Sequence, residues 1–175
     1  MFSESAELYD LIYSSFKNYP AEAAQLAELI RRSHPDAHTI RDVACGTAEH
    51  SRLLAEEYGF EVDGLDLDPA FVRIARRKLS GGSVFQDDMT SFDIGRRYDV
   101  ILCLFSSIGY VRTLENVTRT FKRFHTHLAD NGIVMVEPWF PPGVLQQGRI
   151  SVNTAAGDGV TVTRMAFTEV DGRLS

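Results

Sequence analysis

Apolar positions along the chain alternate between helical spacing and short, nearly continuous runs. Ala23, Leu26, Ala27 and Ile30 form a 3.6-residue stripe behind Pro20, which suits a first helical turn, and Ser33-His34-Pro35 closes it. Thr39 to Ala44 reads as a strand. Cys45-Gly46-Thr47 turns into a second helix, apolar at Leu53, Leu54 and Tyr58 and stopped at Gly59, where a left-handed cap fits. Phe60 to Asp66 is the next strand. Asp68 then suits an N-cap with Pro69 at the first helical position, Arg73, Arg76, Arg77 and Lys78 load the later turns, and Gly81-Gly82 ends that helix. Ser83 to Gln86 is a short strand. Asp99 to Phe105 is almost wholly apolar, as a central parallel strand covered on both faces should be. Leu114, Val117, Phe121, Phe124 and Leu128 make the clearest helical stripe, closed by Asn131-Gly132 before a strand from Ile133 to Glu137.

This strict alternation predicts βαβ crossovers and an α/β fold. The sheet is expected to be doubly wound, mostly parallel and Rossmann-like, with ligands at the carboxyl ends of its strands. After Pro141-Pro142-Gly143 the character changes. Ile150 to Asn153 and Val160 to Phe167 read as antiparallel strands, with turns at Gly157-Asp158-Gly159 and Asp171-Gly172. The expected division is therefore 1–140 for the ligand-binding domain, with an N-terminal helical lid, and 141–175 for a C-terminal antiparallel extension.

The 175 residues carry 18 Lys and Arg against 24 Asp and Glu, a net charge of -6 that disfavours a grip on nucleic-acid phosphates. The longest apolar run, Val100 to Phe105, is far too short to span a bilayer, and the N-terminus lacks a signal-peptide pattern. A cytoplasmic protein without a membrane partner is expected, with a homodimer left open. Cys45 and Cys103 lack a Cys-x-x-Cys spacing and are expected to be reduced. No His, Cys or acid cluster has metal-ligand spacing.

The stretch Asp42-Val43-Ala44-Cys45-Gly46-Thr47-Ala48-Glu49-His50 joins the first strand to its helix. Its small residues let a ligand approach the backbone, and amides at the helix start favour an anionic group. Gly46-x-Ala48 falls short of the dinucleotide pattern G-x-G-x-x-G, and a plain structural turn would also account for Gly46. Asp66 ends the next strand, where a carboxylate can accept both hydroxyls of a ribose; Asp68 has a capping role that needs no ligand. Asp87-Asp88-Met89 follows the third strand, either as a solvated acidic loop or as a site for an adenine edge. Tyr9, Tyr13 and Phe16 share one helical face, which suits packing onto the sheet or a lid over a site. No Tyr-x-x-x-Lys pair supports a nicotinamide-dependent oxidoreductase, which stays the alternative beside a nucleotide-binding module without chemistry.

These motifs resemble those of the class I S-adenosylmethionine-dependent methyltransferases: Asp42-x-x-Cys45-Gly46-Thr47, Asp66 and Asp88-Met89 match the first three cofactor motifs. Phe105-Ser106-Ser107-Ile108-Gly109-Tyr110, Glu137-Pro138-Trp139, Tyr9-Asp10 and Lys17-Asn18-Tyr19 are similar to the N,N-dimethyltransferases acting on nucleotide-linked 3-amino deoxysugars. Ala48 departs from that pattern by replacing the usual second glycine. Phe140-Pro141-Pro142 replaces an aromatic pair with one proline, and Arg164-Met165-Ala166-Phe167 lacks a Ser-His pair. The resemblance implies S-adenosylmethionine as cofactor. It assigns Tyr19 and the backbone of Ala44, Cys45 and Gly46 to the methionyl part, Asp66 to the ribose, Leu67, Asp88 and Met89 to adenine, and Cys103, Leu104 and Phe105 to the floor under the sulfonium. Tyr13 and Tyr110 are the expected catalytic side chains, ahead of His50, which is expected to pack behind the turn. His125 and His127 are expected to be structural or exposed. The acceptor is expected to be a small molecule, the amine of a nucleotide-linked sugar, with Arg149 or Arg164 holding its diphosphate. Such enzymes are longer than 175 residues, so Ser175 reads as an end within a substrate-covering extension.

Overall fold

The computed structural model describes residues 6–141, 143–157 and 159–170. Helices α1 (Ala6–Tyr13) and α2 (Tyr19–Ser33) lead into β1 (Thr39–Val43), α3 (Glu49–Tyr58), β2 (Glu61–Asp66), α4 (Pro69–Lys78) and β3 (Val84–Gln86). Then come β4 (Tyr98–Cys103), a 3-10 turn (Ser107–Val111), α5 (Leu114–His127), β5 (Leu128–Val136), β6 (Ile150–Gly157) and β7 (Val160–Phe167). The main sheet is wholly parallel in the order β3-β2-β1-β4-β5. The chain order reverses between β1 and β4, and this switch point is where an open α/β sheet leaves a crevice at its strand ends.

Local chemistry explains the helix ends. Asn18 accepts the amide of Ala21 at 3.1 Å at the start of α2, and Asp68 accepts that of Ala70 at 2.8 Å at the start of α4. Gly59 caps α3 with φ 75°, as its left-handed signal requires. Both sheet faces are apolar. Ile40, Val62, Val100 and Leu102 pack under Ala27, Ile30, Leu54, Val72 and Ala75 of α2, α3 and α4. Val43, Leu65, Ile101 and Cys103 meet Phe92 and Phe124 on the other face.

Three expectations need correction. The run expected to be central is interior, but the middle strand is β1, with β4 between it and β5. The α5 stripe is only partly the buried face: Thr120, Phe124 and His127 are buried, whereas Leu114 is 86% exposed and Phe121 44%. Asn131-Gly132 does not close α5, which ends at His127; it makes a bulge inside β5, where Asn131 has φ 62° and the register with β4 shifts. A Cβ on Gly132 would come 2.9 Å from Leu128 and 3.1 Å from the Asp99 carbonyl, so the bulge requires glycine.

Strands β6 and β7 pair antiparallel as a separate hairpin, with β6 running to Gly157 rather than Asn153. Asp158, within the expected hairpin turn, and the expected Asp171-Gly172 turn lie outside the described residues, as does Pro142. The hairpin packs on α1: Val162 joins Ile12, Tyr13, Tyr19, Ala23 and Leu53.

Candidate active site

At the carboxyl ends of β1 and β4 the backbone leaves ordinary geometry. Ala44 and Ala48 (φ 59° and 61°) flank the turn after β1, which also holds Gly46 (φ 57°), and Phe105 and Ser106 (φ 52° and 58°) follow β4. Each non-glycine residue there sits in the left-handed region at a steric cost, and such strain gathers where function fixes the backbone. Strands β1 and β4 consequently stop at Val43 and Cys103. The space beside Gly46 is open, since a Cβ built on it meets nothing within 4 Å.

Asp66 lies beside this turn, 8% exposed. Its Oδ2 accepts the Gly46 amide at 2.8 Å and its Oδ1 accepts the Asp68 amide at 2.9 Å. Burial pushes its pKa up against these hydrogen bonds. Beneath the turn, Asp42 is buried and accepts the Ser51 hydroxyl at 2.6 Å; burial raises it to about 6. Cys45 folds its thiol onto Gly64 of β2, where a Cβ would come within 2.8 Å of Sγ. The Gly64 position is therefore set by its neighbour across the strands. Leu67 at the tip of β2 is 64% exposed.

The β3 loop is more engaged than its acidic sequence suggests. Asp88 Oδ1 accepts the Thr90 amide at 2.7 Å, and Met89 packs on the core cluster containing Phe92. After β4, Cys103 is fully buried, Leu104 packs toward the opposite face, and Phe105 leaves its ring 39% exposed while its amide donates to Glu137 at 2.7 Å.

Helix α1 brings an aromatic set over this end. Tyr9 stacks on Tyr13 with centroids 4.1 Å apart, Tyr13 meets the Phe105 ring edge-on at 5.5 Å, and Phe16 lies 5.2 Å from Tyr13. Tyr13 is 7% exposed and its burial raises its pKa, while Tyr110 is 63% exposed. Tyr13 and Phe105 thus come together, whereas Tyr110, among the described residues, makes no ring contact with either. Tyr19 is buried beside His50, their rings 5.0 Å apart, and His50 binds Glu22 at 2.8 Å; burial drives the Tyr19 pKa upward.

Two side chains lie in segments that the sequence singles out, Lys17-Asn18-Tyr19 and Tyr9-Asp10, but their contacts do not follow from the motifs. Lys17 holds Glu22 at 2.9 Å and sets its ammonium 3.8 Å over the Phe105 ring. Asp10 of α1 accepts the Thr47 hydroxyl at 2.6 Å and pairs with Lys78 at 2.6 Å, while Lys78 also reaches Glu49 at 3.0 Å. That clip joins α1 to the β1 turn and α4. Its one visible signal is Tyr9-Asp10, a carboxylate beside the aromatic stripe. His127 is buried, with Nε2 accepting the Ile94 amide at 3.2 Å, and is structural; His125 is exposed.

A profile described as a methyltransferase domain matches residues 40–132, which hold the strained turns, Asp66 and Asp88. The chain is 40% identical to the dTDP-3-amino-3,6-dideoxy-alpha-D-glucopyranose N,N-dimethyltransferase of Streptomyces fradiae over 98% of this chain and 68% of that protein. It is 36% identical to the dTDP-3-amino-3,4,6-trideoxy-alpha-D-glucopyranose N,N-dimethyltransferase of Streptomyces venezuelae, over 98% of this chain and 73% of the relative. Among solved structures, Streptomyces venezuelae DesVI superposes with a TM-score of 0.89 at 36% identity, over 96% of this chain and 71% of that one. An amino pentose methyltransferase from Micromonospora echinaspora, solved with S-adenosylmethionine bound, gives 0.85 at 33% identity, over 95% of this chain and 70% of that one. The chain belongs to the S-adenosylmethionine-dependent methyltransferases and groups with these sugar N-methyltransferases.

Proposed function

We propose that this methyltransferase acts on the amine of a nucleotide-linked amino sugar. The observation that carries the reading is the meeting of Tyr13 and Phe105 just beyond the end of β4, beside the strained β1 turn and Asp66. The names of the similar proteins, which act on dTDP-linked amino sugars, support the same acceptor.

When bound, S-adenosylmethionine supplies an electrophilic methyl group on a sulfonium. The Asp66 oxygens accept the Gly46 and Asp68 amides, and a carboxylate's remaining lone-pair capacity suits a ribose hydroxyl. Leu67 offers an exposed apolar face for adenine, with Asp88 and Met89 at its edge. Tyr19 and the backbone of Ala44, Cys45 and Gly46 hold the methionyl part, and Cys103, Leu104 and Phe105 form the floor beneath the sulfur. The acceptor nitrogen must arrive neutral, with its lone pair aimed at the methyl carbon, and holding that geometry supplies most of the rate. Burial keeps the Tyr13 hydroxyl protonated across the physiological range, so it orients an amine N–H through its oxygen and does not act as a base. Tyr110, largely exposed, borders a route by which the released proton reaches water.

Within this reading, 1–140 is the cofactor domain and 141–175 an extension toward the acceptor. The cytoplasm is its setting, in keeping with two unpaired thiols. Among the described residues no helix is long and apolar enough to cross a membrane.

Incubation with methyl-labelled cofactor and a panel of amino-sugar nucleotides, free amines, catechols and carboxylic acids tests the acceptor. Label is expected on the amino-sugar nucleotides. Label only on oxygen or carbon acceptors overturns the substrate while leaving a methyltransferase.

A further inference from the structure

Glu137 follows β5 at the carboxyl end of the sheet, where its amide donates to the Cys103 carbonyl at 3.0 Å. Its side chain turns to the neighbouring strand end, and Oε2 accepts the Phe105 amide at 2.7 Å. Two further contacts join the same loops. The Ser106 hydroxyl donates to the Pro138 carbonyl at 3.0 Å, and Gly109 lies so close to Trp139 that a Cβ there would stand 3.3 Å from the ring. The left-handed residues Phe105 and Ser106 are therefore held from the β5 side.

Holding Phe105 takes one oxygen and no charge, since the carbonyl of a neutral side-chain amide would accept the same N–H. Among the described residues the exposed Glu137 pairs with no cation, and its Oε1 accepts no hydrogen bond. Neighbouring carboxylates are engaged: Asp10 holds Lys78, Glu22 holds Lys17 and His50, and Glu49 holds Arg52 and Lys78. Lys17, the cation over the Phe105 ring, is thus committed to Glu22 at 2.9 Å. An unbalanced negative charge is left beside Phe105, whose ring meets Tyr13 edge-on at 5.5 Å.

Methyl transfer to an amine carries positive charge toward that place. The acceptor nitrogen gives its lone pair to the methyl carbon, the electron pair of the breaking C–S bond stays on sulfur, and the charge passes from sulfur to nitrogen. The nitrogen later releases one proton to water. A fixed carboxylate beside it interacts more strongly with this developing cation than with the neutral amine, which is the condition for raising kcat. A methylated amine keeps the charge, whereas an ether product is neutral.

We propose that Glu137 is a catalytic residue whose carboxylate stands against the acceptor nitrogen, stabilises the positive charge that develops there, and so favours amines over hydroxyls. This rests on the amino-sugar reading above and gives that site its selectivity for nitrogen. Glu137 thereby serves two ends with its two oxygens, one on the Phe105 amide and one toward the acceptor.

Glu137→Gln separates the two ends, because it keeps an acceptor for the Phe105 amide and removes the charge; Glu137→Ala removes both. With a dTDP-linked amino sugar, Glu137→Gln is expected to lower kcat tenfold or more, while S-adenosylhomocysteine binds within twofold of wild type in calorimetry. A second measurement needs no turnover. With S-adenosylhomocysteine present, wild type should bind the N,N-dimethylated product, whose nitrogen is cationic, at least tenfold more tightly than its hydroxyl counterpart, and Glu137→Gln should bring the two within twofold. The proposal is overturned if Glu137→Gln keeps kcat and that preference within twofold of wild type, since a hold on Phe105 is then the whole role. Equal weakening of S-adenosylhomocysteine and of both sugar nucleotides also overturns it, because it reports a displaced floor. The amino-sugar reading fails separately: label on simple amines alone, with the same dependence on Glu137, removes the sugar and leaves the charge site standing, whereas label on no amine removes both.

Discussion

The two ends of the parallel sheet are built on different terms. At its amino-terminal end, polar groups are matched to one another except for the Arg41 Nε, which is buried without a hydrogen-bond partner. Asp99 Oδ2 accepts the His38 and Thr39 amides and the Thr39 hydroxyl, each at 2.9 Å. Burial opposes ionisation there, but these bonds hold the Asp99 pKa below its usual value. The buried Arg41 donates to the Gly64 carbonyl at 2.9 Å and to the Tyr98 hydroxyl, and Tyr98 donates to Asp63 at 2.8 Å. Asp63 also takes the Ser83 amide at 2.6 Å and Arg96 at 3.0 Å. At the carboxyl end Asp42 and Asp66 are held above the usual carboxylate range and four non-glycine residues have positive φ. One end favours the fold, whereas the other keeps strained backbone and costly charge beside the reaction site.

Five substitutions test that division. Asp63→Ala should have the largest effect, about 3–5 kcal/mol lost in urea unfolding, because it leaves the Arg41 guanidinium buried beside a broken network. A loss below about 1 kcal/mol would mean the amino-terminal end is not a stabilising unit.

Asp66→Ala should weaken the cofactor about 100-fold in calorimetry through loss of charge-assisted hydrogen bonds, while Asp68→Ala removes a helix cap and about 1 kcal/mol of stability. If Asp68→Ala weakened binding more, with both variants folded by circular dichroism, the ribose assignment would fail.

Asp42→Asn sharpens the contrast through pH. The folded pKa of about 6 exceeds the ordinary 3.8, so ionisation of Asp42 opposes folding increasingly as pH rises between those values. The asparagine variant should gain up to about 3 kcal/mol at pH 7. That advantage should vanish below about pH 4, as thermal melts at both pH values would reveal. A gain independent of pH would remove the charge explanation.

Ala48→Gly is the smallest change. Relief of the left-handed strain, partly offset by glycine's greater chain entropy, should raise stability by about 1 kcal/mol. A lower melting temperature for the glycine variant would show that the buried Ala48 methyl outweighs the strain.

The fold was largely legible because each segment repeats one rhythm. Ala23, Ala27 and Ile30 are buried as their spacing requires, and Asp68-Pro69 starts α4 as its chemistry requires. Asn131-Gly132 misled because it signals a chain reversal as readily as a bulge, and only the packing around Gly132 distinguishes them. Arg41 was invisible for a related reason. Periodicity says that its strand is interior, but a buried guanidinium needs partners from other strands, here Gly64, Asp63 and Tyr98. Asp66 could be found at a strand tip because position defines it. The Asp10–Thr47 clip spans 37 residues and joins two elements whose approach no local pattern encodes.

The burial of the two cysteines bears on how a methyl donor and a thiol share one protein. Toward a sulfonium carbon the competent form of cysteine is the thiolate. Burial lifts Cys103 to about 12 and holds Cys45 well above the ordinary thiol range. At neutral pH the anionic fraction of Cys103 is then about one in 100,000. The sulfurs after β1 and at the end of β4 serve as inert apolar packing, so neither thiol is competent to compete with an acceptor for a methyl group.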